Sequence, residues 1–520
     1  MKAHLAILPI LVPFMAGALL LVLRDLAMPV RRRLAILAVL AQIGVALLLV
    51  AAVSGDEILV YRLGNWPAPW GIVLVADRLA AWLVLITTLL ALFAVIHAGD
   101  GTDRQGRHFH VLFQLQLFGI AGAFLTGDLF NLFVFFEILL IASYGLLLHG
   151  GGADRVRAGL HYVVLNLIGS TVFLFAAGLI YASLGTLNMA DIAMKAANVT
   201  PENLGLARTG GLLLLGVFAL KAALLPLFLW LPAAYAHTSA PVAALFAIMT
   251  KVGAYAILRA DTLMFGPAAG PLAGLLSPWL LPTALVTLAI GMLGALAAQR
   301  LKQLSAWLVV ASVGTLVAAF ALGPAGVAAG LYYLPHSTFA AALLFLVADA
   351  IARRRPASAD FLRPDRDMSR HAVWGGLFFA AAVASAGLPP LSGFLGKFLV
   401  LRAAQESTAM PWVWSVVLVG ALAGVIALAR AGSRLFFSAR TVDAAEPPRA
   451  ALIDTRPGEP PDPPSGPRER FAIFGLLGLI LALTVGAGPV VDFATATAAQ
   501  LADPVSYIAS VLGHAAGVPQ

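Results

Sequence analysis

Apolar runs of about 20 residues recur along this chain almost without a break, and that spacing constrains its fold more than any other feature. A bilayer core about 30 Å thick takes about 20 apolar residues per crossing helix. Such runs cover residues 5–23, 34–53, 71–97, 109–125, 129–148, 160–184 and 210–231. The second half is equally dense, with runs at 242–258, 276–298, 304–322, 327–351, 372–401, 412–437 and 471–487. The pattern predicts an all-α polytopic membrane protein of about 14 transmembrane helices. With 61% hydrophobic and 11% charged residues, no large soluble domain fits. The first run is read as a retained helix, because Arg24 and Asp25 follow it without a small-residue cleavage site.

The net charge of +8 raises the question of nucleic acid, but the arginines fall in short loops and form no continuous basic face. Alternate loops hold them: Arg24 and Arg31 to Arg33, Arg104 and Arg107, Arg155 and Arg157, Arg300 and Lys302, 353–370, and 434–470. Lysine and arginine concentrate on the cytoplasmic side, so the alternation predicts a bacterial inner-membrane protein with both termini outside. With no cysteine in the chain, disulfides, thiolate zinc sites and iron–sulfur clusters are excluded, and no cofactor is expected. Residues 441–470, rich in Pro, Asp, Glu and Arg, read as a flexible cytoplasmic linker. The tail from 490, with Pro504 inside it, reads as mildly amphipathic and suited to the outer surface.

Four ionisable residues sit deep inside apolar runs: Glu137, Lys221, Lys251 and Lys397. Each costs roughly 2.5–3.5 kcal/mol at a helix centre, so each needs partners or water, and an ion or proton path is the default reading. Lysines near helix ends can instead snorkel to the interface. Lys221, about 16 Å into its run, is poorly placed for that. Burial favours a neutral lysine and a neighbouring carboxylate favours the charged form. Glu137 beside Lys221 would therefore make a proton switch, with Lys251 as receiver and Lys397 at the far end. His336, after Pro335, suits a relay between Lys251 and Lys397, or is a satisfied core histidine. Pro226 in the seventh run, and Pro389 and Pro390 in the twelfth, predict broken helices of the kind that line aqueous cavities. The histidines at 97, 108, 110, 149 and 161 lie near run ends and read as interfacial. Asp77, Arg78, Asp128 and Asp349 show no acid–base or metal spacing that would support an enzyme acting on a lipid-linked substrate.

Three blocks are family-specific: GDLFNLFVFFEILLIASYGLLLHGG, LKAALLPLFLWLPAAYAHTSAPVAALFAIMTKVGAYAILR and GLPPLSGFLGKF. They resemble the antiporter-like subunits shared by respiratory NADH:quinone oxidoreductase and the multisubunit cation/proton antiporters, and most of all the D-type branch of the Mrp/Pha antiporters. The resemblance implies two inverted five-helix repeats and broken helices 7 and 12. It divides the chain into N-terminal helices 1–3 (1–108), a first repeat of helices 4–8 (109–260), a second repeat of helices 9–13 (261–440), the linker (441–470), and helix 14 with the tail (471–520). It assigns proton transfer to Glu137, Lys221, Lys251 and Lys397, with His336 where relatives carry a polar residue. It further implies a secondary transporter subunit, not an enzyme, working in a hetero-oligomeric membrane complex and exchanging H⁺ for Na⁺ or K⁺. The alternative is a proton-pumping subunit of a respiratory oxidoreductase or membrane-bound hydrogenase.

Overall fold

The structure, a computed structural model, describes residues 4–355, 358–363, 365, 368, 370–437 and 466–513. The predicted linker lies outside the described residues as far as 465. In chain order the helices begin with α1 (Leu8–Val22) and α2 (Met28–Val53). A two-stranded antiparallel hairpin follows, β1 (Leu59–Arg62) with β2 (Val73–Ala76), in the register Leu59 to Ala76. Next come α3 (Arg78–Ala98), α4 (Phe109–Leu125), α5 (Leu129–Leu147), α6 (Ala153–Leu184), α7 (Met189–Ala196), α8 (Pro201–Ala222) and α9 (Trp230–His237). The second half holds α10 (Ala240–Phe246), α11 (Met249–Arg259), α12 (Ser277–Ala297), α13 (Leu301–Phe320), α14 (Gly323–Arg353), α15 (His371–Ala386), α16 (Ser392–Ala403) and α17 (Met410–Gly432). The chain closes with α18 (Pro467–Val485), α19 (Ala487–Ala502) and α20 (Val505–Leu512).

Among the described residues, 10 helices are long and apolar enough to cross a membrane, or 11 if α18 and α19, bent by 76°, count as one span. Helices α1, α4 and α15 are shorter apolar helices, and every apolar run of the sequence contains a helix. The run predicted at 71–97 is helical only from Arg78, capped by Asp77, whose side chain accepts from the Ala80 amide. Its first residues pair as β2 instead, and Gly127 N donates to the Val73 carbonyl, which ties the hairpin to the α4–α5 turn. The tail forms α19 and α20, with α19 packed along α14.

Charged loops meet at the two ends of the bundle. At one end Arg32 pairs with Asp103 at 2.5 Å, Arg300 with Asp360 at 2.8 Å, and Arg354 with Glu469 at 3.0 Å. Asp349 there holds both Lys302 (3.0 Å) and Arg353 (2.8 Å), and Asp100 accepts from the Glu469 amide at 2.7 Å. At the other end Arg259 pairs with Asp77 at 2.6 Å and Arg78 with Asp56 at 2.9 Å. The first end gathers the arginine-bearing loops, as the alternation in the sequence requires.

Asp103, in the α3–α4 loop, is fully buried and also lies 3.1 Å from His110 Nε2. Burial alone would raise its carboxyl, but hydrogen bonds from Arg32 and His110 outweigh that and bring it down to about 2 from 3.8. A lowered pKa gives stability that is full above 3.8 and fades as pH falls towards 2. Asp103→Asn leaves Arg32 without its counter-ion and is expected to cost about 3–5 kcal/mol at neutral pH. Thermal unfolding of the solubilised protein should show that loss at pH 7 and a much smaller difference from wild type near pH 2.

Candidate functional site

Helix α8 stops one residue after Lys221. Ala223 adopts a left-handed conformation (φ 58°), the chain runs irregularly through 223–229 with a cis Leu225–Pro226 bond, and α9 begins at Trp230. The polar groups released by the break find partners: Trp230 Nε1 donates to the Leu220 carbonyl at 3.0 Å, and Leu225 N donates to Thr287 Oγ1 at 2.9 Å. Irregular backbone is tolerated at membrane depth only where it is satisfied in this way. Helix α11 crosses at the break with Gly253 facing it; a Cβ there would stand 2.3 Å from Ala222 N.

The Lys221 ammonium is buried and donates to Asn166 Oδ1 at 3.3 Å, with the Phe136 ring centroid 6.0 Å away. Ser170, one turn further along α6, has its hydroxyl against Glu137 Oε1 and 3.0 Å from the Asn166 carbonyl. Glu137 and Lys221 make no ion pair within 4.0 Å. The carboxylate and the ammonium instead approach the same stripe of α6 and are joined through Ser170 and Asn166. A cavity of about 20 Å³ beside Lys221 is lined by Phe136, Tyr162, Asn166, Trp230 and Met249. That is room for about one water.

Lys251 lies two residues into α11 and is fully buried, and its ammonium has no hydrogen-bond partner. The structure brings it into hydrogen-bond contact with none of the other site residues.

In the second half the break runs through 387–391 between α15 and α16, with Gly387 at φ 74° and a cis Pro389–Pro390 bond. His336, on α14, spans it: Nε2 lies 3.1 Å from the Ala384 carbonyl on α15, and Nδ1 lies 2.9 Å from Ser392 Oγ at the start of α16. Since a carbonyl only accepts, Nε2 bears a proton, and in the neutral ring Nδ1 accepts from Ser392. Lys397, on α16, reaches back to donate to the Ala386 carbonyl at 2.6 Å. A cavity of about 30 Å³ is lined by Ser312, Tyr333, His336, Ser337, Ser385 and Lys397. Sequence reasoning passed over Tyr162, Asn166, Ser170 and Ser392. The first three stand four residues apart in an apolar run, a spacing that places them on one helix face.

A family model described as NADH:quinone oxidoreductase/Mrp antiporter, TM matches residues 126–426. The chain belongs to this family. All five candidate residues of this NADH:quinone oxidoreductase/Mrp antiporter family member fall inside the matched region. The D subunit of a probable K(+)/H(+) antiporter from Rhizobium meliloti is 40% identical over 545 residues, covering 98% of this chain and 97% of the relative. The D subunit of a Na(+)/H(+) antiporter from Alkalihalophilus pseudofirmus is 37% identical over 405 residues, covering 77% and 80%. Among solved structures, a chain of the Mrp complex from Dietzia sp. matches with a TM-score of 0.84 at 28% identity, covering 98% of this chain and 99% of that one. A chain of respiratory complex I from Thermus thermophilus matches with a TM-score of 0.76 at 23% identity, covering 97% and 100%, a likeness of fold.

The contact at Gly253 gives a direct check on this geometry. Gly253→Ala sets a Cβ against the backbone of Lys221 and Ala222, where no flexible side chain can yield. The expected cost is about 1–3 kcal/mol, read as a lowered thermal midpoint of the solubilised protein.

Proposed function

We propose that this chain is the proton-translocating subunit of a multisubunit Na⁺(K⁺)/H⁺ antiporter, a secondary transporter in which cytoplasmic Na⁺ or K⁺ leaves in exchange for external protons. The observation that carries the reading is the join between Glu137 and Lys221 through Ser170 and Asn166, at a helix break with room for water. A proton on Lys221 is held by a neutral amide oxygen, and a carboxylate one helical turn away sets the cost of keeping it. Lys251, without a partner, suits a group that holds a proton only in passing. His336 and Lys397, at the second break and beside the second cavity, continue the path. The names of the antiporter relatives support antiport and a hetero-oligomeric complex.

The arginine-bearing end faces the cytoplasm in this reading, so both termini lie outside the bacterial inner membrane. Helices 4–8 and 9–13 of the 14-helix count form the inverted repeats; in support, the seventh and twelfth runs each break within a few residues of a lysine. No bound cofactor takes part. Cation-dependent collapse of ΔpH in energised everted vesicles from an antiporter-deficient strain expressing the whole complex tests the proposal. Wild type should respond to Na⁺ or K⁺, while Glu137→Ala, Lys221→Ala and Lys397→Ala assemble but stay silent. No cation response from wild type, or normal exchange by the variants, would replace antiport with redox-driven pumping.

A further inference from the structure

The α6 stripe that joins Glu137 to Lys221 does not end at Asn166. Asn166 Nδ2 donates to the Tyr162 carbonyl at 2.9 Å, and Tyr162 is the next residue of the same face, one turn closer to the arginine-bearing end. Its hydroxyl lies 2.8 Å from Ser143 Oγ on α5, and both residues are essentially without solvent exposure. Tyr162 also lines the cavity that Lys221 faces. A buried tyrosine fills space as well as phenylalanine does, so a hydroxyl here needs a partner and a reason. Ser143 supplies the partner.

On its other side Ser143 leads towards the arginine-bearing end. One turn along α5, the Leu147 carbonyl accepts from Thr238 Oγ1 at 3.3 Å, in the short connection between α9 and α10. Arg155 Nε holds the carbonyl of His237, the last residue of α9, at 3.1 Å. The 237–238 segment thus packs on α5 one helical turn beyond Ser143, on the side of the arginine-bearing end.

We propose that the Ser143 and Tyr162 hydroxyls form the proton-transfer pair that connects the Lys221 cavity with the arginine-bearing face. The inference rests on the reading of Lys221 as a proton carrier. Ser143 Oγ donates to the Leu140 carbonyl at 2.6 Å, which leaves Tyr162 Oη as the donor between the two hydroxyls. In each transfer protonated Lys221 gives a proton through a water in the cavity to Tyr162 Oη as that hydroxyl gives its own to Ser143 Oγ, and Ser143 releases its original proton to water on the arginine-bearing side, leaving Lys221 neutral. Each hydroxyl gains one proton and loses one, and rotation of the two O–H bonds resets the pair. No oxidant, metal or further base is needed.

The test uses the complete complex in everted vesicles, with Tyr162→Phe, Ser143→Ala, Ser143→Thr and Lys221→Ala. Tyr162→Phe and Ser143→Ala should each lower the maximal exchange rate by about tenfold or more while leaving the half-saturating cation concentration unchanged. Ser143→Thr, which keeps a hydroxyl, should recover most of what Ser143→Ala loses. Wild-type rates in both Tyr162→Phe and Ser143→Ala, with Lys221→Ala silent, overturn the pair and leave the reading of Lys221 standing. A rate loss with a matching rise in half-saturating concentration, and no recovery in Ser143→Thr, assigns the pair a packing role and also overturns it. Normal exchange by Lys221→Ala removes the reading on which the inference rests. Where Tyr162→Phe fails to assemble, Ser143→Ala, the smaller change, decides.

Discussion

The hydrogen bond from the Lys221 ammonium to Asn166 Oδ1 ties the first half of the molecule together. An ammonium among apolar helices costs several kcal/mol unless a fixed oxygen meets it, and a neutral amide meets it without removing its charge. Three features make that contact possible. The break after Ala222 frees the end of α8, Gly253 lets α11 press against it, and Gly169 leaves room on α6 beside Leu220. Glu137 takes its place through Ser170, one turn along the same face. The charges thus sense each other through a polar stripe, an arrangement looser than a direct ion pair and easier to rearrange.

The two broken helices solve the same problem with different parts. In the first, the lysine precedes the break and a tryptophan takes the carbonyl of Leu220. In the second, the lysine follows the break and itself takes the Ala386 carbonyl, while His336 bridges the two sides through Ala384 and Ser392. Lys221 therefore depends on a side chain of another helix, and Lys397 on the backbone across its own break. Any displacement of α16 against α15 changes what Lys397 can reach, whereas α6 sets the partner of Lys221.

Much of this is legible in the sequence because bilayer length and arginine placement are one-dimensional signals. The apolar runs mark the helices, and Pro226, Pro389 and Pro390 mark both irregular segments. Residues 71–77 mislead because a short apolar stretch reads equally as strand or helix end; only its pairing with Leu59–Arg62 makes it a hairpin. The tail, by its pattern alone, suits the outer surface. In the structure α19 lies along α14, and Tyr507 stands over Arg259 with the guanidinium 5.1 Å from its ring, contacts that no local pattern encodes. At the site, the charged residues stand out against their apolar runs, but their partners do not. Tyr162, Asn166 and Ser170 show the right spacing, yet only the packing of α6 between α5 and α8 gives that spacing a meaning.

In the proposed function Glu137 and Lys221 act as one unit through α6. A double-mutant cycle on exchange rate tests it most directly, comparing Glu137→Gln, Lys221→Met and the double variant in assembled complexes. A single unit predicts that the double variant is no slower than the slower single variant. Losses that multiply, as for two independent sites, would contradict it.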